Sequence, residues 1–241
     1  NAPKLWSAMW TEKAARRFDA PIFSARSMAP FDASKVRSLS GATLETAIAV
    51  TLPAGRFGGS NGARLEYANT SPTTLTVSYR VWIPADFQPV LGGKLGFGAN
   101  GDEFSVRTMW RRPDTKNPSR FGAEIYVHGP AQLDPGYTKL PGFKRSDSAG
   151  DSLFQYYFWL NKGAWNTVSL ACTLNDVGLA NGVIDCTING YRAIYNKYTF
   201  RTRAATSITS ALFQAFYGGS TADWAPTADQ DLVYDQIHIS P

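Results

Sequence analysis

The chain has 241 residues, with 24 Lys plus Arg against 19 Asp plus Glu and a formal net charge of +5. Hydrophobic residues make up 44% and charged residues only 18%, the reverse of the balance that leaves a chain disordered. No run approaches the ~18 uncharged apolar residues of a membrane span, and 13% aromatics among many Thr, Ser and Gly favour strands over helices.

Residues 1–40 read as irregular, with one short helix over Ala8–Arg17. From about residue 43 the hydrophobic period switches to two. The predicted strands are Thr43–Thr51, Thr73–Ile83, Phe104–Arg111, Phe121–His128, Leu153–Leu160, Trp165–Leu174, Val183–Ile188, Ile208–Tyr217 and Leu232–Ser240. Turn signals separate them, among them Pro53-Ala54-Gly55, Gly58-Gly59-Ser60-Asn61-Gly62, Asn100-Gly101-Asp102, Asn181-Gly182 and Asn189-Gly190. Short strands at this spacing, with no long helical pattern between them, predict one all-β domain over 1–241. Its architecture is a sandwich of two antiparallel sheets with few short helices and a loop-rich insertion over 129–150. A chain this long buries roughly 70–75% of its unfolded surface and needs no staple to fold.

Cys172 and Cys186 lie in β-like runs on either side of turn residues, which predicts a disulfide across neighbouring strands. A disulfide belongs to an oxidising compartment. The opening Asn1-Ala2-Pro3-Lys4, without Met or an apolar leader, reads as a mature chain after signal-peptide removal, so a secreted, extracellular protein is expected. Asn69-Thr70-Ser71, followed by Pro72, is a weak glycosylation acceptor pattern pointing the same way.

Charge is uneven. Arg107, Arg111, Arg112, Lys116 and Arg120 form one basic group, and Arg192, Lys197, Arg201 and Arg203 a second; Asp223, Asp229, Asp231 and Asp235 lie near the C-terminus. This separation predicts a positive surface and an anionic partner. No zinc, helix-turn-helix or RNP signature supports nucleic acid. No membrane partner is expected, and the chain is expected to act as a monomer.

If Phe104–Arg111 is a strand, Phe104, Val106, Thr108 and Trp110 face one way and Ser105, Arg107, Met109 and Arg111 the other. In Phe121–His128, Phe121, Ala123, Ile125 and Val127 face inward, and Gly122, Glu124, Tyr126 and His128 outward. A hairpin closed by 112–120 sets Arg107 opposite Tyr126 and Ser105 opposite His128, gathering a hydroxyl, a guanidinium, a phenol and an imidazole on one sheet face. A polar outer face is also what any antiparallel sheet shows to water. No G-x-S-x-G elbow supports a serine hydrolase. Nothing in the spacing favours Glu103 and Glu124 as a glycosidase carboxylate pair. His238 alternates with Tyr234, Gln236 and Ser240 and reads as structural.

The run Leu91-Gly92-Gly93-Lys94-Leu95-Gly96-Phe97-Gly98, then Ser105-Val106-Arg107-Thr108-Met109-Trp110-Arg111, then Glu124-Ile125-Tyr126-Val127-His128, resembles polysaccharide lyase family 14. Val50–Gly55, Tyr79–Pro84, Trp165-Asn166-Thr167, Asn181-Gly182-Val183, Asn189-Gly190 and Phe216–Ser220 with Trp224-Ala225-Pro226 follow in the family's order, over about 45–240. The resemblance implies a concanavalin-like β-jelly roll that cleaves a 1,4-linked polyuronate, glucuronan or alginate, by β-elimination. It implies catalytic roles for Lys94, Ser105, Arg107 and Tyr126. The next family tyrosine falls on His128, which departs from the pattern and joins the candidate catalytic residues. Arg111, Glu124 and Tyr217 are expected to bind substrate.

The chemistry fits these residue types. The C5 proton beside a uronate carboxylate is very weakly acidic until a cation takes up the carboxylate's charge. A guanidinium fork does this with two hydrogen bonds. A base removes the proton and an acid protonates the leaving O4. His128, Tyr126 and Lys94 are all open as the base. No cofactor is required and no metal ligand set is expected; a structural Ca²⁺ on loop carboxylates has no readable motif here. The competing class is a non-catalytic carbohydrate-binding jelly roll, in which aromatics such as Tyr156, Tyr157, Phe158 and Trp159 would stack on sugars.

Overall fold

The computed structural model describes residues 36–37, 48–58, 63–68, 71–146 and 150–240. The expected helix over Ala8–Arg17, residues 43–47 of the first expected strand, and Asn69 and Thr70 lie outside these. In chain order the strands are β1 (Val36–Arg37), β2 (Ile48–Leu52), β3 (Ala63–Ala68), β4 (Thr74–Ile83), β5 (Gly92–Gly101), β6 (Ser105–Pro113) and β7 (Arg120–His128). Then follow β8 (Lys144–Ser146), β9 (Gly150–Asn161), β10 (Ala164–Thr173), β11 (Gly182–Ile188), β12 (Tyr191–Tyr198), β13 (Ile208–Tyr217) and β14 (Gln230–Ser240). Single 3-10 turns at Tyr137–Lys139 and Ala222–Trp224 are the helical elements among the described residues.

The strands form two seven-stranded antiparallel sheets. The front sheet runs β3-β13-β5-β6-β7-β9-β8 and the back sheet β1-β2-β14-β4-β10-β11-β12. This is the jelly-roll sandwich that the alternation and the resemblance predicted. Alternate residues of β4 (Leu75, Val77, Tyr79, Val81, Ile83) are buried from the back sheet, and Phe97, Val106, Trp110, Phe121, Ile125 and Phe213 from the front. At about 25 cal/mol per Å² of apolar surface removed from water, this shared core is the main force holding the sheets face to face. The inward set expected on β6 and β7 is buried: Phe104, Val106, Thr108 and Trp110, then Phe121, Ala123, Ile125 and Val127; Ser105, Met109, Glu124 and Tyr126 of the opposite face are buried as well.

The Asn189-Gly190 signal closes the β11–β12 hairpin, with φ of 51° and 82° at the two residues and Ile188 paired to Tyr191. Positive φ at both positions is what a two-residue type I′ turn demands. Strands β1, β3, β5, β8 and β12 coincide with no strand expected from the sequence; β1 lies in the stretch expected to be irregular and β8 in the expected loop-rich insertion.

The expected disulfide is not formed. Cys172 and Cys186 are free, buried thiols. The β10–β11 register pairs Leu170 with Cys186 and Cys172 with Ile184, so the two sulfurs sit on a diagonal, two residues out of register. Diagonal neighbours on adjacent strands lie ~7–8 Å apart, beyond the usual Cα separation of a disulfide. Burial pushes both thiols well above their ordinary pKa, as expected of inert core groups.

Candidate active site

The outer face of the front sheet gathers the reactive groups. The β6–β7 register pairs Ser105 with His128, Arg107 with Tyr126 and Met109 with Glu124, the alignment that the loop symmetry predicted. On the other side of β6, Lys94 pairs with Met109 and Gly98 with Arg107. Four residues of β5 therefore span the length of two on β6, which makes a bulge at Leu95–Phe97. Tyr79 from the back sheet holds this bulge: its hydroxyl donates to the Leu95 carbonyl at 3.0 Å and bonds Thr108 Oγ1 at 2.9 Å. Gly96 has φ +134°, and a Cβ there would lie 2.7 Å from the Tyr79 ring. Only glycine fits where the bulge meets that phenol.

Lys94 is 7% exposed. Its Nζ sits 3.9 Å from the centre of the Tyr126 ring and donates to Met109 Sδ at 2.9 Å. No carboxylate ion-pairs with it among the described residues. Burial, then Arg107 and Arg111, hold its pKa well below the ordinary lysine value, against a weaker pull from Glu124. Arg107 has no carboxylate partner among the described residues either, and its buried Nε has no hydrogen-bond partner. Burial, with Arg64 nearby, lowers its pKa.

His128 is half-buried, its ring edge-on to Tyr126 at 5.2 Å. Burial, then Arg107 and Lys94, push its pKa down to about 4, with Asp151 opposing. Its imidazole is neutral at pH 7. Tyr126 is 7% exposed. Burial raises its pKa, Glu124 and Asp151 add to that, and Arg111 and Arg107 oppose it. Its phenol is protonated at pH 7. Ser105 is buried beside this row. One sheet face thus holds a guanidinium without an ion-pair partner among the described residues, a neutral imidazole, an amine whose pKa is lowered by burial, and a phenolic acid.

Two of the three expected substrate binders face the same side but bind each other. Arg111 ion-pairs with Glu124, which is 0% exposed. Ser152 Oγ and Gln155 Nε2 donate to the two oxygens of Glu124 at 2.9 and 2.8 Å. This network is a floor under the site. Tyr217 is not brought to the cluster: it pairs with Gly93 and turns into the core, edge-on to Trp110 at 5.3 Å, with its hydroxyl on the Gln88 carbonyl at 2.6 Å. Glu103 and Glu124 belong to separate networks, since Glu103 accepts from Thr202, Arg203 and Thr206. His238 is exposed on β14 in the back sheet.

The basic groups expected to make a positive surface are partly neutralised locally. Arg120 pairs with Asp114, Arg192 with Asp185 and Arg203 with Glu103. Sequence reasoning missed Gln214, whose Oε1 is buried without a partner and which pairs with Gly96 on the outer face. Alternation along β13 held that signal, but β5 beside it was hidden. Among the described residues no group of three or more His, Cys, Asp or Glu is placed to hold a metal ion.

The family profile described as Polysaccharide lyase 14 matches residues 42–237. The marine PL-14 alginate lyase from Aplysia kurodai superposes with a TM-score of 0.73 at 20% identity, over 86% of this chain and 87% of that one. An alginate lyase from Chlorella virus superposes at 0.66 and 16% identity, over 86% and 88%. An endo-beta-1,4-glucuronan lyase from the fungus Trichoderma reesei does so at 0.50 and 11%, over 91% and 90%. At these identities the superpositions establish the fold. Among curated proteins, exolysin of Paramecium bursaria Chlorella virus 1 is 26% identical over 122 residues, which take in 48% of this chain and 19% of exolysin, so the match spans about a fifth of that protein. With a family match running over residues 42–237, the chain belongs to polysaccharide lyase family 14.

Proposed function

We propose that this enzyme cuts a 1,4-linked polyuronate of the alginate or glucuronan type by β-elimination. The observation that carries the reading is Arg107: a half-buried guanidinium whose buried Nε has no hydrogen-bond partner and which has no carboxylate partner among the described residues, among groups poised to give and take protons. A half-buried cation has lost part of its hydration, and a uronate carboxylate supplies the missing partner. With the carboxylate held on Arg107, His128 takes the C5 proton. The electron pair forms the C4=C5 double bond, the C4–O4 bond breaks, and Tyr126 protonates the departing O4. Lys94 and Ser105 donate hydrogen bonds to the carboxylate as charge builds on it. One proton is taken and one returned, so the step needs no redox cofactor. Every group named lies on one chain, which fits a monomer. The polymeric substrate places the enzyme outside the cell; that localisation rests on substrate size, since the cysteines no longer support it.

A base with a pKa of about 4 is weak. Carboxylate binding to Arg107 cancels part of the positive field that depresses it, so the bound substrate strengthens its own base. A second reading has its own observation: Lys94 lies over the Tyr126 ring, and burial lowers its pKa well below the ordinary lysine value. The pH dependence of kcat/KM separates them, because the free base must be unprotonated. With His128 as base, the acidic limb has its midpoint near the His128 value of about 4 and activity is lost in His128→Ala. Near-wild-type kcat in His128→Tyr with that limb unmoved removes His128 from the base role and leaves Lys94 and Tyr126.

A further inference from the structure

The same face carries a second feature, remote from the reacting groups. Strand β9 pairs Trp159 with Gly122, which shares the outer face of β7 with Glu124, Tyr126 and His128. Tyr156 lies against Gly122, where a Cβ would fall 2.3 Å from its ring. Its ring centre is 6.0 Å from that of Trp159 at 38°, and the residue is 39% exposed. The guanidinium of Arg120 stands 4.5 Å over the Trp159 ring. Arg120 is held there by its ion pair with Asp114 at 2.7 Å. We propose that Tyr156 and Trp159 form a distal subsite that stacks a uronate ring of the bound polymer. This deepens the polyuronate reading above and rests on it.

The backbone bends to make this platform. Phe154 and Tyr156 have φ of 55° and 59°, a left-handed conformation that aromatic residues adopt only under constraint. The constraint comes from the 141–142 turn, whose carbonyls accept from Phe154 N at 2.9 Å and Gln155 N at 3.2 Å. This irregularity sends Gln155 toward Glu124 and lays Tyr156 on Gly122. The core does not need Tyr156, since Phe158 and Leu160 fill the inner face of β9 at 0% exposure. A pyranose presents an apolar C–H face that matches an aromatic ring. Four residues along β7 at ~3.3 Å each put Gly122 ~13 Å from Tyr126, roughly two or three pyranose rings. The lane from platform to acid is therefore one oligosaccharide long, and only longer substrates reach both.

The test compares Tyr156→Ala, Tyr156→Phe and wild type on the polyuronate that wild type cleaves best, as polymer and as trisaccharide. In Tyr156→Ala the polymer KM rises roughly fivefold or more, the trisaccharide KM and both kcat values stay within about twofold, and Tyr156→Phe behaves as wild type. An unchanged polymer KM, or equal rises for both lengths, overturns the proposal. If wild type cleaves no polyuronate, the fault lies in the reading of the reaction, and native gels cast with the polymers still test the platform. Retardation of wild type but not of Tyr156→Ala supports it; equal retardation, or none, overturns it.

Discussion

Replacing Arg107 with Met keeps most of the apolar stem and removes the charge on which the site is organised. Two effects follow from one change. The carboxylate loses its partner, and losing one preorganised donor of this kind costs about 10²–10³ in rate. His128 is also released. Its pKa sits at about 4 rather than 6.5 because of burial first, Arg107 second and Lys94 third. Without Arg107 it moves up from about 4 but stays below 6.5, since burial and Lys94 remain. The chain has only two histidines, so the imidazole C–H resonances of His128 are identified by their loss in His128→Ala and followed in a two-dimensional NMR titration. Stability follows with a definite sign. The folded pKa of His128 lies below its unfolded value, so the unfolded chain binds the proton more readily and stability falls as pH drops from 6.5 toward 4. Arg107→Met narrows that window and tolerates acid better than wild type relative to its stability at pH 8. A His128 midpoint that is ordinary in wild type, or unmoved in Arg107→Met, refutes the electrostatic account of this site.

Two other substitutions test the scaffold. Tyr79→Phe removes the hydroxyl that bonds the Leu95 carbonyl and Thr108. Leaving buried groups unpaired costs about 1–3 kcal/mol, read as a lower denaturation midpoint, with lower kcat because the bulge sets Lys94. Glu124→Gln breaks the pair with Arg111 at a fully buried position. Removing one partner of a buried pair costs about 3–5 kcal/mol, and the freed Arg111 competes for the carboxylate, so both stability and kcat/KM fall.

The sequence made the β6–β7 hairpin legible because both strands alternate cleanly, and a loop of known length fixes which residues face each other. That alone brought Ser105, Arg107, Tyr126 and His128 together. Strand β5 was not legible as a strand: five of its ten residues are glycine, a residue with low strand preference. Those glycines serve the bulge and its close contacts, which are tertiary facts. Tyr217 misled because the resemblance marks its neighbourhood while saying nothing of its face; it is Phe216 that pairs with Lys94. The disulfide failed for a related reason, since spacing along the chain does not reveal a two-residue offset between strands. The network that closes Arg111 and Glu124 on each other depends on Ser152 and Gln155 from an irregular stretch of β9, where alternation breaks down.

The most direct test is to incubate the purified protein with glucuronan, polymannuronate and polyguluronate and follow the ultraviolet absorbance of the new C4=C5 bond conjugated to the carboxylate. The account predicts that absorbance grows with at least one polymer, falls by about 10²–10³ in Arg107→Met, and is accompanied by chain ends lacking the water that hydrolysis adds. Shortening of a polymer without that absorbance, or full activity in a folded Arg107→Met, would contradict it.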